Sequence, residues 1–178
     1  MLKKNLHCHI DTPCPAVHSL QFELERCPGG PIKLCYRLTG DLTKILIPEP
    51  KPAIATDGLW QHTCFELFVA RTDTPAYYEF NFSPSGQWAA YAFSGYRTRM
   101  PWTISRPPII ELTQTRNESM LTARIADAEL LFESNEHALQ LGVSAVIESV
   151  GGALSYWALH HPSERPDFHE RTGFVCPL

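Results

Sequence analysis

The stretch from Trp60 to Arg97 constrains the fold most, because its alternation of residue types predicts three consecutive antiparallel strands. Successive side chains of a strand point to opposite faces, so residue parity assigns each side chain to a face. In the first two predicted strands one face is wholly apolar or aromatic and is expected to lie in the core; it consists of Phe65, Leu67, Val69, Tyr78, Phe80 and Phe82.

Short runs of the same kind occur on both sides of this stretch. They predict further strands at residues 20–25, 32–38, 45–47, 109–113, 120–125, 139–147 and 155–159. Residues 1–16 and 99–108 are expected to be irregular, and residues 126–132 are the best helix candidate, with about two turns. Many short strands and almost no helix favour an all-β fold, an antiparallel β-sandwich with immunoglobulin-like layers, in one domain covering residues 1–178.

Composition restricts the classes of partner. The net charge of -4 indicates no extended basic surface for nucleic acid or for an anionic membrane. No apolar run approaches the ~20 residues that span a bilayer, and the first residues, MLKKNLHCHIDTP, lack the apolar segment of a secretory signal. We therefore expect a cytoplasmic protein. Its six cysteines include no C-x-x-C pair and are expected to be reduced.

Polar and aromatic side chains occupy the other face of the central strands. If the first strand extends back to Trp60, this face carries Trp60, His62, Glu66, Glu79 and Asn81. With residues 83–86 as a tight turn, Asn81 faces Trp88 in the third strand. Arg97 lies at the end of that strand and is expected to form one edge of the face.

Indole rings beside carboxylates and an amide suit a sugar as ligand. The C–H face of a pyranose stacks on an indole, while its hydroxyl groups pair with polar side chains. We therefore interpret this face as a binding surface for a small ligand. The alternative is that Trp60 and Trp88 are packing residues and that the carboxylates pair with Arg97, Arg99 or Arg106.

Two motifs in this stretch resemble a known family. The runs W-x-x-T-C-F-E-L-F and Y-x-E-F-N-F-S-P-S-G-x-W-A-A-Y-x-F-x-x-Y-R are similar to DOMON-like domains related to family 9 carbohydrate-binding modules, including a free-standing bacterial subset. The resemblance implies a two-sheet sandwich with a ligand cleft on one sheet. It implies a first tryptophan at Trp60, a polar partner at Glu66 and a second tryptophan at Trp157. Asn81 and Arg97 are the implied partners of sugar hydroxyls.

Other functions remain open at this point. Some DOMON domains bind haem, for which Met100, Met120 and the histidines near the C-terminus are the available ligands. Two clusters, at residues 7–14 and 160–169, contain metal-binding residue types but no known structural-zinc spacing. Glu66 and Glu79 are a possible acid/base pair for a hydrolase. An interaction module that docks a protein is the remaining alternative. We expect a non-catalytic domain that binds a sugar or sugar-like metabolite and has no cofactor or metal.

Overall fold

Strands provide most of the regular structure in residues 1–26, 30–126 and 139–177, which are the residues that the computed structural model describes. Within these ranges, three single-turn 3-10 helices occur at Leu42–Lys44, Leu59–Gln61 and Arg171–Gly173. The described strands are β1 Leu2–Cys8, β2 Val17–Arg26, β3 Ile32–Gly40, β4 Cys64–Arg71, β5 Tyr77–Phe82, β6 Trp88–Gly95, β7 Thr98–Met100, β8 Ile109–Gln114, β9 Glu118–Ile125, β10 Leu139–Glu148, β11 Leu154–Ala158 and β12 Cys176–Pro177.

The strands form one continuous antiparallel path that folds into two layers. Its order is β7-β6-β5-β4-β10-β11-β1-β2-β3-β9-β8, with β12 beside β10. Strand β1 joins the layers, because Leu2–Leu6 pairs with β2 while His7 and Cys8 pair with β11. We call β1-β2-β3-β9-β8 sheet A and β7-β6-β5-β4-β10-β11 sheet B. The predicted antiparallel β-sandwich is confirmed.

The core lies between the two sheets and is rich in aromatic rings. Phe22 and Tyr36 of sheet A have ring centroids 5.1 Å apart, and Tyr36 lies 5.0 Å from Phe65 of sheet B. The Tyr36 hydroxyl donates a hydrogen bond of 2.9 Å to the backbone oxygen of Glu66, so a buried polar bond also connects the layers. The face predicted to be apolar is directed into this core.

Several predicted elements differ in the structure. Residues 2–8 and 98–100 form strands rather than irregular segments. Residues 45–47 contribute only one isolated bridge, between Ile45 and Ser149, since Pro48 and the prolines after it prevent a ladder from continuing. The helix predicted at residues 126–132 lies outside the described residues, apart from Ala126.

Candidate functional site

The outer face of sheet B carries a cavity of about 610 Å³. Small-ligand pockets typically measure about 300–1,000 Å³. Strands β4, β5, β6, β10 and β11 form its floor; the 3-10 helix Leu59–Gln61, the β6–β7 region and residues 165–169 form its walls. Carboxyl, guanidinium and aromatic side chains line it together: Trp60, Glu66, Glu79, Tyr91, Phe93, Arg97, Arg99, Val146, Tyr156, Arg165, Pro166, Phe168 and His169.

The register of β5 against β6 decides which aromatic side chains reach this cavity. Phe82 pairs with Trp88 and Glu79 pairs with Tyr91, so the connection spans residues 83–87, one residue more than predicted. A shift of one residue moves every side chain of a strand to the opposite face. Tyr91 and Phe93 therefore face the cavity, whereas Trp88 is 8% exposed and packs in the core. The predicted position of Trp88 beside Asn81 is wrong.

Three other predicted site residues occupy different environments. Trp60 belongs to the 3-10 helix that precedes β4 rather than to the strand itself; it is 49% exposed and lines the cavity. His62 does not line it, and its Nδ1 lies 2.8 Å from Oε2 of Glu148. Trp157 has the core-facing parity of β11, and its Nε1 donates to Ser155 Oγ at 3.0 Å. The expectation that Trp157 is the second tryptophan of the cleft is therefore wrong.

Two buried carboxyl groups form the polar floor. Glu66 on β4 and Glu79 on β5 are 2% and 4% exposed. Glu66 lies directly opposite Asn81 on β5 and Ser144 on β10, and Ser144 Oγ donates to Glu66 Oε2 at 3.2 Å. Asn81 Nδ2 donates to Glu79 Oε1 at 2.7 Å. The structure thus brings Glu66, Glu79 and Asn81 together, as their parity predicts.

The amide oxygen of Asn81 is a buried acceptor in this floor without a hydrogen-bond partner among the described residues. Asn81 itself is fully buried. Burial, followed by the charge of Glu79, raises the pKa of Glu66 well above its usual range. This shift favours the protonated form of Glu66. Only a protonated carboxyl has an O–H group, the type of donor that Asn81 Oδ1 lacks.

Glu79 and His169 respond to burial in opposite directions. Burial raises the pKa of Glu79 to about 7, against the lowering effect of the Asn81 hydrogen bond and of the nearby Arg99 and Arg97 charges. Burial, with the charge of Arg97, lowers the pKa of His169 to about 4. His169 is thus neutral at pH 7, and its 3.7 Å contact with Glu79 Oε2 is not a permanent ion pair.

A chain of polar contacts leads from the cavity wall to Glu79. The Tyr77 oxygen accepts the backbone N–H of Arg97 at 3.1 Å and lies 2.8 Å from Nδ1 of His169. Donation of the Tyr77 hydroxyl proton to Nδ1 satisfies both groups and leaves the imidazole proton on Nε2. That nitrogen is the one that faces Glu79. The wall therefore directs an N–H group towards the carboxyl floor.

Arginines surround the entrance. Arg97 has a left-handed backbone (φ 52°), a conformation that costs a non-glycine residue about 1–3 kcal/mol. One of its guanidinium nitrogens lies 2.9 Å from Asp167 Oδ1. The Arg99 guanidinium carbon lies 3.9 Å from the Tyr91 ring centroid, within the range of a cation–π interaction. Arg165 is exposed and also lines the cavity.

The wall at residues 165–169 is held in place by the segment that follows it. Arg171 donates to the backbone oxygens of Arg71, Thr74 and Ala76 at 2.9–3.3 Å. Phe174 packs where Gly142 leaves space, since a Cβ at Gly142 would lie 2.6 Å from its ring. Sequence reasoning missed this wall. The signal available there was the cluster at residues 160–169, which the sequence indicated only as metal-binding residue types.

The described residues show neither a metal-binding cluster nor a membrane-spanning helix. They contain no group of three or more His, Cys, Asp and Glu side chains placed to hold a metal ion, and no helix long and apolar enough to cross a membrane. The internal methionines lie away from the cavity: Met100 is exposed on β7, and Met120 Sδ lies 3.4 Å from Arg37.

The fold, with an open cavity on one sheet, has a counterpart among solved structures. A crystal structure of a candidate carbohydrate-binding protein from Bacteroides uniformis ATCC 8492 matches with a TM-score of 0.72 and 15% identity, over 98% of this chain and 84% of that chain. At this identity the likeness shows the fold. No family model matches the chain, and no curated protein does. The class is thus that of antiparallel β-sandwiches with a concave site on one outer face.

Proposed function

We propose that the protein binds a sugar or a sugar-like metabolite in the sheet B cavity and leaves it chemically unchanged. The observation that carries this proposal is the composition of the cavity. Two buried carboxyl groups, Glu66 and Glu79, lie at its floor, and aromatic side chains including Trp60 and Tyr156 surround them. Few placed polar groups among aromatic surfaces are typical of small-molecule sites.

The floor offers both hydrogen-bond donors and hydrogen-bond acceptors to the hydroxyl groups of a sugar. A neutral Glu66 can donate and accept, while an ionised Glu79 accepts only. Trp60, half exposed at the entrance, presents an indole face on which the C–H face of a pyranose can stack. Because a sugar hydroxyl also donates and accepts, this combination suits a polyhydroxylated ring better than an apolar ligand.

Two similarities support the same class of ligand. The structural neighbour from Bacteroides uniformis is described as a candidate carbohydrate-binding protein. The motifs around Trp60 and Glu79 resemble DOMON-like domains related to family 9 carbohydrate-binding modules. We extend both to this chain as part of the proposal, with Tyr91, Tyr156 and Phe168 in the aromatic positions that Trp88 and Trp157 do not occupy.

Tryptophan fluorescence tests the proposal directly. All four tryptophans lie among the described residues, and of these Trp60 lines the cavity. Titration with a panel of neutral and acidic sugars should shift the emission of the wild type. Trp60→Phe should bind with little spectral change, and Trp60→Ala should bind at least about tenfold more weakly, a loss of 1.4 kcal/mol.

Trp102→Phe is the matched control for this titration, because Trp102 packs against Tyr78 and Phe80 on the core side of sheet B. It should keep the sugar response. If calorimetry detects no binding of any sugar in the panel, the proposal is wrong.

The geometry also favours a second candidate, glycoside hydrolysis. Glu66 and Glu79 are diagonal neighbours on adjacent strands, positions whose backbones lie about 7–8 Å apart in a sheet, and the carboxyl groups of glycosidase pairs lie about 5–10 Å apart. Burial raises the pKa of Glu66 well above its usual range and the pKa of Glu79 to about 7, and such different environments are typical of an acid and base pair. Product analysis during the same titrations separates the two functions, since a binding protein returns each oligosaccharide intact.

A further inference from the structure

We propose that the ligand is an anionic sugar, one that carries a carboxylate or a phosphate group, and that Arg165 binds this group. This inference rests on the proposed function and adds the chemical class of the ligand. It assigns the anion to the wall formed by residues 165–169, which contacts the β6–β7 hairpin through the ion pair of Asp167 with Arg97.

The cavity lining contains more basic than acidic side chains. Three arginines and two carboxyl groups line it, and burial raises the pKa of both carboxyl groups. Guanidinium groups thus outnumber carboxyl groups in the lining. A neutral sugar cannot form an ion pair with these guanidinium groups, whereas an anionic substituent can. In a concave site, solvent and salt screen this attraction little.

Two of the three arginines already have acidic partners. A guanidinium nitrogen of Arg97 lies 2.9 Å from Asp167, and one of Arg99 lies 3.5 Å from Asp57. Within the described residues, Arg165 forms no ion pair and donates no side-chain hydrogen bond. Its guanidinium fork is thus the one available to a ligand.

The chemistry of this fork fits both kinds of anion. A guanidinium presents paired N–H donors in a plane and stays charged at all relevant pH values, so it binds a carboxylate or a phosphate through two parallel hydrogen bonds. Phe168 lies on the same wall and provides an apolar surface beside it. A pyranose that rests on the aromatic wall can therefore direct a charged substituent towards Arg165.

Pairs of sugars that differ in one charged group test the inference. We would measure binding of methyl β-glucuronide against methyl β-glucoside, and of glucose 6-phosphate against glucose, by calorimetry with the full chain. The wild type should bind at least one anionic member about tenfold more tightly than its neutral counterpart. The pair that shows the difference distinguishes a carboxylate from a phosphate ligand. The preference should decrease as salt rises.

Two variants assign the effect to a residue. Arg165→Gln should remove the preference for the anionic sugar over its neutral counterpart. Arg116→Gln is the control, since Arg116 is an exposed arginine in the β8–β9 turn, outside the cavity. Its binding should match that of the wild type.

Each result separates this inference from the proposed function. Equal binding of charged and neutral sugars overturns the inference but leaves sugar binding intact. A preference that survives in Arg165→Gln overturns the role of Arg165. If no sugar binds, charged or neutral, the proposed function fails and this inference fails with it.

Discussion

The carboxyl group of Glu79 has a pKa close to neutral pH in the folded protein. Its pKa is raised from 4.5 to about 7, so it takes up a proton on folding at intermediate pH. Its contribution to stability is therefore complete below pH 4.5 and is lost as pH rises through 7. His169 acts in the opposite direction. Its pKa is lowered from 6.5 to about 4, so its contribution is complete above pH 6.5 and is lost as pH falls through 4.

Glu79→Gln isolates the first of these effects. The glutamine keeps an oxygen that accepts from Asn81 but cannot ionise. Relative to the wild type, the variant should gain about 3 kcal/mol of unfolding free energy between pH 4.5 and pH 7, which is the shift of the wild-type pKa expressed as energy. Urea denaturation from pH 4 to pH 8 measures this difference.

Glu49→Gln is the control for the change in net charge, because Glu49 is exposed in the loop before β4. A constant difference between Glu79→Gln and the wild type across this pH range would contradict the buried, titrating carboxyl.

At the scale of elements, the β5–β6 hairpin shows where sequence prediction succeeds and where it ends. Residue parity in β4 and β5 correctly placed Glu66, Glu79 and Asn81 on one face, because buried apolar residues alternate with them. Turn-forming residues at positions 83–86 did not specify the loop length. The observed loop has one residue more, and this difference exchanges Trp88 for Tyr91 on the cavity side.

Local sequence patterns could not predict the cavity walls, for a different reason. Residues 165–169 meet β5 and β6 through contacts between positions far apart in the chain, such as Tyr77 with His169. Such contacts depend on how the last segment docks on sheet B, which involves Phe174 over Gly142 and the bonds of Arg171 to backbone oxygens. Neither hydrophobic period nor turn composition encodes this docking.

The loop between β5 and β6 provides a test at the same scale. Gly86 has φ 89°, in the left-handed region, and the nearest atom to an added Cβ would be 3.6 Å away, so space is not the obstacle. Gly86→Ala should lower the unfolding free energy by about 1–2 kcal/mol through backbone strain alone. Gly95→Ala is the matched control at the other end of β6.

An added Cβ at Gly95 meets no atom within 4 Å, and its backbone lies outside the left-handed region. Its substitution should be neutral or should stabilise the protein by up to about 1 kcal/mol, since alanine reduces the freedom of the unfolded chain. Equal effects of the two substitutions in urea denaturation would show that the loop does not impose the observed geometry.

At the scale of the whole molecule, β1 determines how the two sheets are joined. Its first part pairs with β2 in sheet A and its end pairs with β11 in sheet B. The sequence predicted a sandwich from the number of short strands, yet it indicated no strand at residues 2–8. The reason is that Leu6 is the one residue of β1 that is fully buried, so the alternation of a half-buried strand is absent there.

The burial of Leu6 makes the role of β1 measurable. Leu6 is 3% exposed and packs in the core between the sheets, whereas Lys4 on the same strand is exposed. Leu6→Ala should lower the unfolding free energy by about 2–5 kcal/mol, as cavity-forming substitutions do. Lys4→Ala should change it by less than about 0.5 kcal/mol. Because β1 belongs to both ladders, a loss at Leu6 should weaken both sheets together and leave a single cooperative transition in thermal unfolding. Two separate transitions, or a loss no larger than that of Lys4→Ala, would mean that β1 does not hold the two layers together.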